Sequence, residues 1–452
     1  MNQDDEKKIG LNKRTEGDIN FTPERAKWME EEVSERAKAL LEKDARYFLH
    51  QSLSSPCLDV LRHCEGPYIE NIDGKKYLDF HGNNVHQLGF SHPKLVKKLN
   101  EQLNSLTFST RRYTNETAIN FAEKLASLLP SDLNRTLMTP NGSSAIGMAL
   151  KLARAVTGRF KVVSFWDSFH GASLDAIGVG GEAVFREYMG PLMPGVERIP
   201  PPVTYRGIYE NNEQKCLEYM EYVFAKEGDI GAFLAETVRN TDVQIPSKSF
   251  WQEARKLCDT YGVLLILDEI PIALGRTGKM FAFEHFDIEP DILCLGKGLG
   301  GGIFPQAAMV TRDAFNKFGD ISLGHYTHEK SPLGAMAALT TIEIIEEERL
   351  LEKSQIDAFF MKVELEKLQN KLNIIGDIRG AGLLWGVELV KDRNTKEKAI
   401  LEAEKVMYHC LKNGLSFKVS AGNVLQLAPA LTISREELKK AIGILDNALE
   451  QL

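Results

Sequence analysis

Five short strand-like runs, dominated by apolar residues, constrain this chain more than any other feature. RTLMT, KVVSF, GAFLAET, VLLIL and DILCL fall between residues 135 and 295, each too short for a helix and rich in branched side chains. A strand with one wet face would alternate apolar and polar residues, and these do not, so both faces must be covered. Around them lie helix-like stretches such as AINFAEKLASLL and SSAIGMALKLARAV, with apolar residues at three- and four-residue spacing. The alternation from about residue 95 to 335 predicts an α/β fold with a large, mostly parallel α/β/α domain.

The flanks read differently. Residues 1 to 20 are polar and expected to be loose, and Thr22-Pro23 reads as an N-cap with proline at the first helical position, opening a helix through about Glu42. GPYIENIDGKKYLDF has the pattern of a hairpin turning at Asp73-Gly74. From residue 336 to 452 come a helix through IEIIEEERLLEKSQ, then GLLWGVELV, VLQLA, and a last helix opened by a capping box from Ser434 to Glu437. This end predicts a smaller α+β domain, which the segment 21–94 joins.

Ligands of open parallel sheets gather at the carboxyl ends of the strands, so the residues just past each run mark out the candidate site. RTLMT leads through Asn141, Gly142 and Ser143 into a helix, a pattern suited to cradling a phosphate. KVVSF is followed by Phe169-His170-Gly171, and GAFLAE ends at Glu236 before Thr237-Val238-Arg239. VLLIL stops at Asp268-Glu269, where an unpaired buried carboxylate would be costly. DILCL opens onto Lys297 in GKGLGGG, and a lysine whose amine is neutral can form a Schiff base. An acid set against a ring nitrogen keeps it protonated and makes the ring an electron sink. Asp268 is therefore expected to face a cofactor pyridinium.

Several blocks carry a resemblance. GPYIENIDGKKYLDF, NGSSAIGMALKLAR, SFHGAS, LDEIPIALGRTGKMFAFEHFDIEPDILCLGKGLGGG, YTHEKSPLGAMAAL and IRGAGLLWGVELVKDR resemble successive blocks of the class III aminotransferases, fold type I pyridoxal-phosphate enzymes, in family order from about residue 67 to 432. The resemblance implies that Lys297 carries the cofactor and shuttles protons, that Asp268 pairs with the pyridine nitrogen, and that Phe169 stacks on the ring. Asn141, Gly142 and Ser143 would bind the phosphate, with His170 and Glu236 also at the cofactor. Thr327, five residues before Pro332, would reach the phosphate in a neighbouring subunit, so a homodimer is the expected active unit. Asn83, Asn84 and His86 sit where the family places substrate-pocket residues.

The departures bear on the reaction. Pro271 stands where many members have glutamine, Thr241 where they have a switching glutamate, and Arg239 where glutamine is common. Gln426 replaces the arginine that usually grips an α-carboxylate, and a neutral amide cannot supply that charge. Glutamate-linked transamination is disfavoured by these losses, whereas elimination from a single β-hydroxy amine needs neither device. Arg111, Arg112 and Arg239 are candidates to bind a phosphonate on such an amine. WDSFHGASLDAIGVGGEAVFREYMGPLMPG, RRYTNE, DFHGNNVHQLGF and GHYTHEK are similar to a branch with ammonia-lyase action on 1-hydroxy-2-aminoethylphosphonate, yielding phosphonoacetaldehyde. The alternatives are an omega or amino-acid aminotransferase and a non-catalytic binding protein that kept the fold; intact Lys297 and Asp268 argue against the latter.

Other readings fare worse. A formal charge of −8 argues against nucleic acid or an anionic membrane as partner. No apolar run approaches the roughly 20 residues that span a bilayer. MNQDDEKKIGLNKR lacks the apolar core of a secretory signal, and six cysteines without metal-ligand spacing suit a reducing cytoplasm. GKGLGGG lacks the context of a dinucleotide fingerprint, and His325, His328 and Glu329 read as a pocket wall rather than a metal site.

Overall fold

Seven strands build the main sheet: β1 (Leu133–Thr139), β2 (Lys161–Phe165), β3 (Val196–Ile199), β4 (Ile230–Glu236), β5 (Leu264–Asp268), β6 (Ile292–Leu295) and β7 (Ala307–Arg312). In the computed structural model, which describes residues 22–51 and 57–452, they lie in the order β1-β7-β6-β5-β4-β2-β3. The expected loose tail at 1–20 lies outside the described residues. Strands β6, β5, β4, β2 and β3 run parallel to one another, and β7 is antiparallel to both of its neighbours, β1 and β6.

The mostly apolar runs are explained by two separate cores. Phe233, Leu265 and Leu293 belong to one, with Phe250, Trp251 and Phe121 of the covering helices. Their strand neighbours Leu234, Ile266 and Ile292 belong to the other, with Ala145, Ile146 and Ala149 of the helix Gly142–Thr157. Successive side chains point to opposite faces, and here each face meets a layer of helix. This is the mostly parallel α/β/α arrangement expected.

Beyond the main sheet, the hairpin strands Tyr68–Asn71 and Lys76–Asp79 pair antiparallel around Asp73-Gly74, and Leu415–Ser416 adds to the second of them in parallel. Leu384–Asp392 pairs antiparallel with Ile375–Ala381 and with Val424–Leu427. The final helix Arg435–Glu450 opens with the capping box of Ser434 and Glu437. One expectation is corrected. The helix opened by Thr22 ends at Glu31, and a second one, Glu35–Tyr47, starts afresh because the Ser34 side chain accepts from Ala37 N and caps it.

Candidate active site

The carboxyl ends of β1, β2, β4, β5 and β6 converge on a cavity of about 480 Å³, within the size range of small-molecule sites. Asn141, Gly142, Ser143, Phe169, His170, Glu236, Asp268, Lys297, Asn83, Asn84 and Gln426 all line it.

Asp268 has a definite set of partners. Its Oδ2 lies 2.8 Å from His170 Nδ1, and its Oδ1 accepts from Ile270 N at 3.1 Å. Both side chains of the pair are buried, His170 fully and Asp268 with 2% exposure. His170 donates from Nδ1 to the carboxylate, which leaves its buried Nε2 without a hydrogen bond. Asp268 is thus oriented from one side and open to the cavity on another. Glu236, its neighbour in register on β4, accepts from Phe169 N at 3.2 Å and Asn240 N at 3.0 Å, fixing both loops. Burial, and then the nearby Asp268 charge, push the Glu236 carboxyl above its ordinary range, against the opposing pull of His170.

Glu269, next to Asp268, is structural. It accepts from Thr237 Oγ1 at 2.9 Å, Ala282 N at 2.6 Å and Phe283 N at 2.7 Å, tying the 281–283 turn to the strand end.

The phosphate end is built by close approach. Asn141 caps the helix Gly142–Thr157 through Ser144 N, and Gly142 and Ser143 of its first turn line the cavity. Ser143 Oγ accepts from Ala172 N at 3.1 Å, which draws the His170-Gly171 turn over the helix start. Gly171 has φ +127°, and a Cβ there would overlap Ser143 Oγ, so only glycine fits. Lys297 has φ +44°, a left-handed conformation that is strained for lysine and persists at sites where surrounding structure enforces it. After it, a Cβ on Gly298 would overlap the Gln87 side chain.

Several nominated residues lie elsewhere. Arg239 does not line the cavity: its backbone exchanges hydrogen bonds with Gln244, and the tight turn aims its guanidinium at Asp242, 3.3 Å away. Arg111 and Arg112 stand exposed on the turn before the helix Glu116–Ser127 and do not reach this chain's cavity. His86 is buried, stacked on Phe90, with Nε2 at 3.3 Å from the Asp79 carbonyl. Thr327 is exposed and outside this chain's cavity. Conversely, His81, Ile270 and Lys418 line the cavity without having been nominated. Only the strand register that opposes Lys418 to Gln426 would have pointed to it.

The donor set fits pyridoxal phosphate: a cradle at a helix start, an aromatic side chain, a buried oriented acid and a lysine on one cavity wall. A sheet of this order with that site defines a fold type I enzyme. The sequence profile of the class-III aminotransferases matches residues 51–449, and the chain belongs to that family. It is 57% identical over 97% of its length, and 95% of the relative's, to "(R)-1-hydroxy-2-aminoethylphosphonate ammonia-lyase" of Vibrio splendidus. It is 32% identical over 92% of its length, and 90% of the relative's, to an alanine/serine racemase of Pyrococcus horikoshii. Among solved structures, an amine transaminase from an uncultivated Pseudomonas species in its PLP-bound form superposes with TM-score 0.84 at 27% identity, covering 90% of this chain and 98% of that one.

Proposed function

We propose that this protein is a pyridoxal-phosphate-dependent ammonia-lyase that converts (R)-1-hydroxy-2-aminoethylphosphonate to phosphonoacetaldehyde and ammonia. The observation that carries the reading is 57% identity, over 97% of the chain, to the Vibrio splendidus protein of that name. The cavity supports it, because Gln426 and Thr241 line it where a glutamate-linked transaminase of this family has arginine and glutamate.

Gly142 and Ser143 would hold the cofactor phosphate, Phe169 the ring face, Asp268 the pyridine nitrogen, and Lys297 the covalent link. When bound, pyridoxal phosphate supplies an electron sink for the carbon that bears the amine. Lys297 Nζ takes the proton from that carbon. The hydroxyl on the next carbon leaves as water once it gains a proton, and the enamine so formed hydrolyses to the aldehyde and ammonia. The water lost and the water consumed cancel, so one substrate gives both products and no keto acid enters. His170 keeps Asp268 aimed at the ring position through its 2.8 Å contact. Thr327 belongs, in this reading, to the neighbouring subunit's phosphate site, which makes a homodimer the working unit, and six thiols suit the cytoplasm.

The test is an ammonia assay on the purified holoenzyme given the hydroxy aminophosphonate alone. Steady ammonia release is expected. A strict requirement for pyruvate or 2-oxoglutarate, with a new amino acid formed in proportion, would replace the lyase with an aminotransferase.

A further inference from the structure

None of the arginines that the sequence nominated lines this chain's own cavity, so the cations on its own walls are the counter-charges to weigh for the substrate's anionic end. Among the described residues that line the cavity, Lys297 and Lys418 carry the cationic side chains. Lys297 is committed to the cofactor and to the proton on the amine-bearing carbon. Lys418 opens the short strand Lys418–Ser420 and lies opposite Gln426 on Val424–Leu427. Directly opposed residues of antiparallel strands share a sheet face with Cβ atoms about 5 Å apart, and both of these side chains meet the same cavity. The Gln426 amide donates to the Asn240 carbonyl, which holds it as a wall. The positive charge missing at position 426 is therefore restored one cross-strand step away.

His81 lines the same cavity. Burial, together with the charges of Lys418 and Lys297, pushes its imidazole down to about 3, so it is neutral and offers hydrogen bonds without charge. That leaves Lys418, among this chain's lining residues, to meet the anion.

We propose that Lys418 Nζ binds the substrate's phosphonate oxygens and so sets the amine end toward Lys297. Lysine presents a compact charge that can meet a tetrahedral dianion, and without an arginine fork at 426 an α-carboxylate loses its two-contact partner. With glutamine at 426 and lysine at 418, this end of the cavity offers a single point charge to the phosphonate. The identity of the anion rests on the ammonia-lyase reading; the role of Lys418 as the anion's partner does not.

The experiment measures binding rather than turnover. 2-Aminoethylphosphonate lacks the hydroxyl leaving group, so its binding to the holoenzyme can be followed through the cofactor absorbance, beside propylamine as an amine with no anionic end. Lys418→Met should weaken the phosphonate about 10- to 100-fold, the worth of one charge-assisted contact. Propylamine should keep its affinity, and Lys418→Arg should retain most of the phosphonate binding. Equal weakening of both amines, or unchanged phosphonate binding in Lys418→Met, would overturn the proposal. Failure of the wild-type enzyme to release ammonia would remove the lyase reading but leave this comparison fully decisive for Lys418.

Discussion

A methyl group added at Gly142 would collide with Ile270, the side chain wedged between the phosphate cradle and the lysine loop. A Cβ at position 142 would lie 2.7 Å from Ile270 Cδ1 and 3.3 Å from Ile270 Cγ2. Comfortable carbon contacts are about 3.5–4.0 Å, so the nearest pair is short by about 1 Å. Relief must come from Ile270 itself, by turning away Cδ1 at the far end of its side chain. Its backbone N–H is engaged, donating to Asp268 Oδ1 at 3.1 Å. Overpacking of this kind costs about 1–3 kcal/mol. Alanine at a helical position without a left-handed φ returns about 0.5–1 kcal/mol. Gly142→Ala should therefore lose about 0.5–2 kcal/mol of stability and release cofactor more readily. Ile270→Val deletes the Cδ1 atom responsible and should cost about 0.5–1.5 kcal/mol alone. The double variant should be no less stable than Ile270→Val, a coupling of about 1 kcal/mol or more between the sites. Urea unfolding of all four proteins at one fixed cofactor concentration reads this cycle. Strictly additive losses would refute the wedge.

Further outcomes concern the site and its surroundings. Borohydride reduction of the holoenzyme followed by peptide mass analysis should place the cofactor mass on Lys297, and Lys297→Ala should lose both the adduct and activity; an adduct on another lysine would contradict the assignment. Asp268→Asn should lower kcat about 10²- to 10⁴-fold, the range for a positioned proton-transfer group, while cofactor binding measured by dialysis suffers less. Normal turnover in that variant would end the pairing. His86 is buried neutral, with its imidazole pushed down to about 3 by burial, while the unfolded chain protonates near 6.5. Below 6.5 the unfolded state therefore binds more protons, and stability falls by about 1.4 kcal/mol per pH unit from this residue as the pH drops. His86→Gln should be less sensitive than wild type between pH 7 and 5.5 in urea unfolding, and an identical pH slope would show the imidazole to be irrelevant.

Much of this architecture was legible because burial on both faces writes itself into runs dominated by apolar residues. Each of the five runs became a strand of the main sheet, and in all five a residue at the strand end or within four positions of it lines the cavity: Asn141, Phe169, Glu236, Asp268 and Lys297. Arg239, three residues past Glu236, is turned away by the Arg239–Gln244 backbone pairing. A tight turn reverses side-chain direction in a way no spacing rule records. Strands Val196–Ile199 and Ala307–Arg312 escaped notice: the first is four residues with charged positions, and the second carries threonine and arginine at its end. Lys418 was missed for a different reason. Its strand has three residues, and its importance comes from standing across from Gln426, a tertiary pairing that sequence periodicity does not express. The helix break at Ser34 went unread, because one capping residue inside a helical stretch is a weak signal beside Thr22-Pro23 upstream.

An ammonia-lyase needs one substrate only. A phosphorus-31 magnetic resonance time course of the holoenzyme with (R)-1-hydroxy-2-aminoethylphosphonate, in buffer free of any keto acid, tests it most directly. The substrate signal should be replaced by that of phosphonoacetaldehyde, with ammonia accumulating mole for mole. A phosphonate spectrum that stays unchanged until pyruvate is added, and then changes in step with alanine, would contradict the lyase reading.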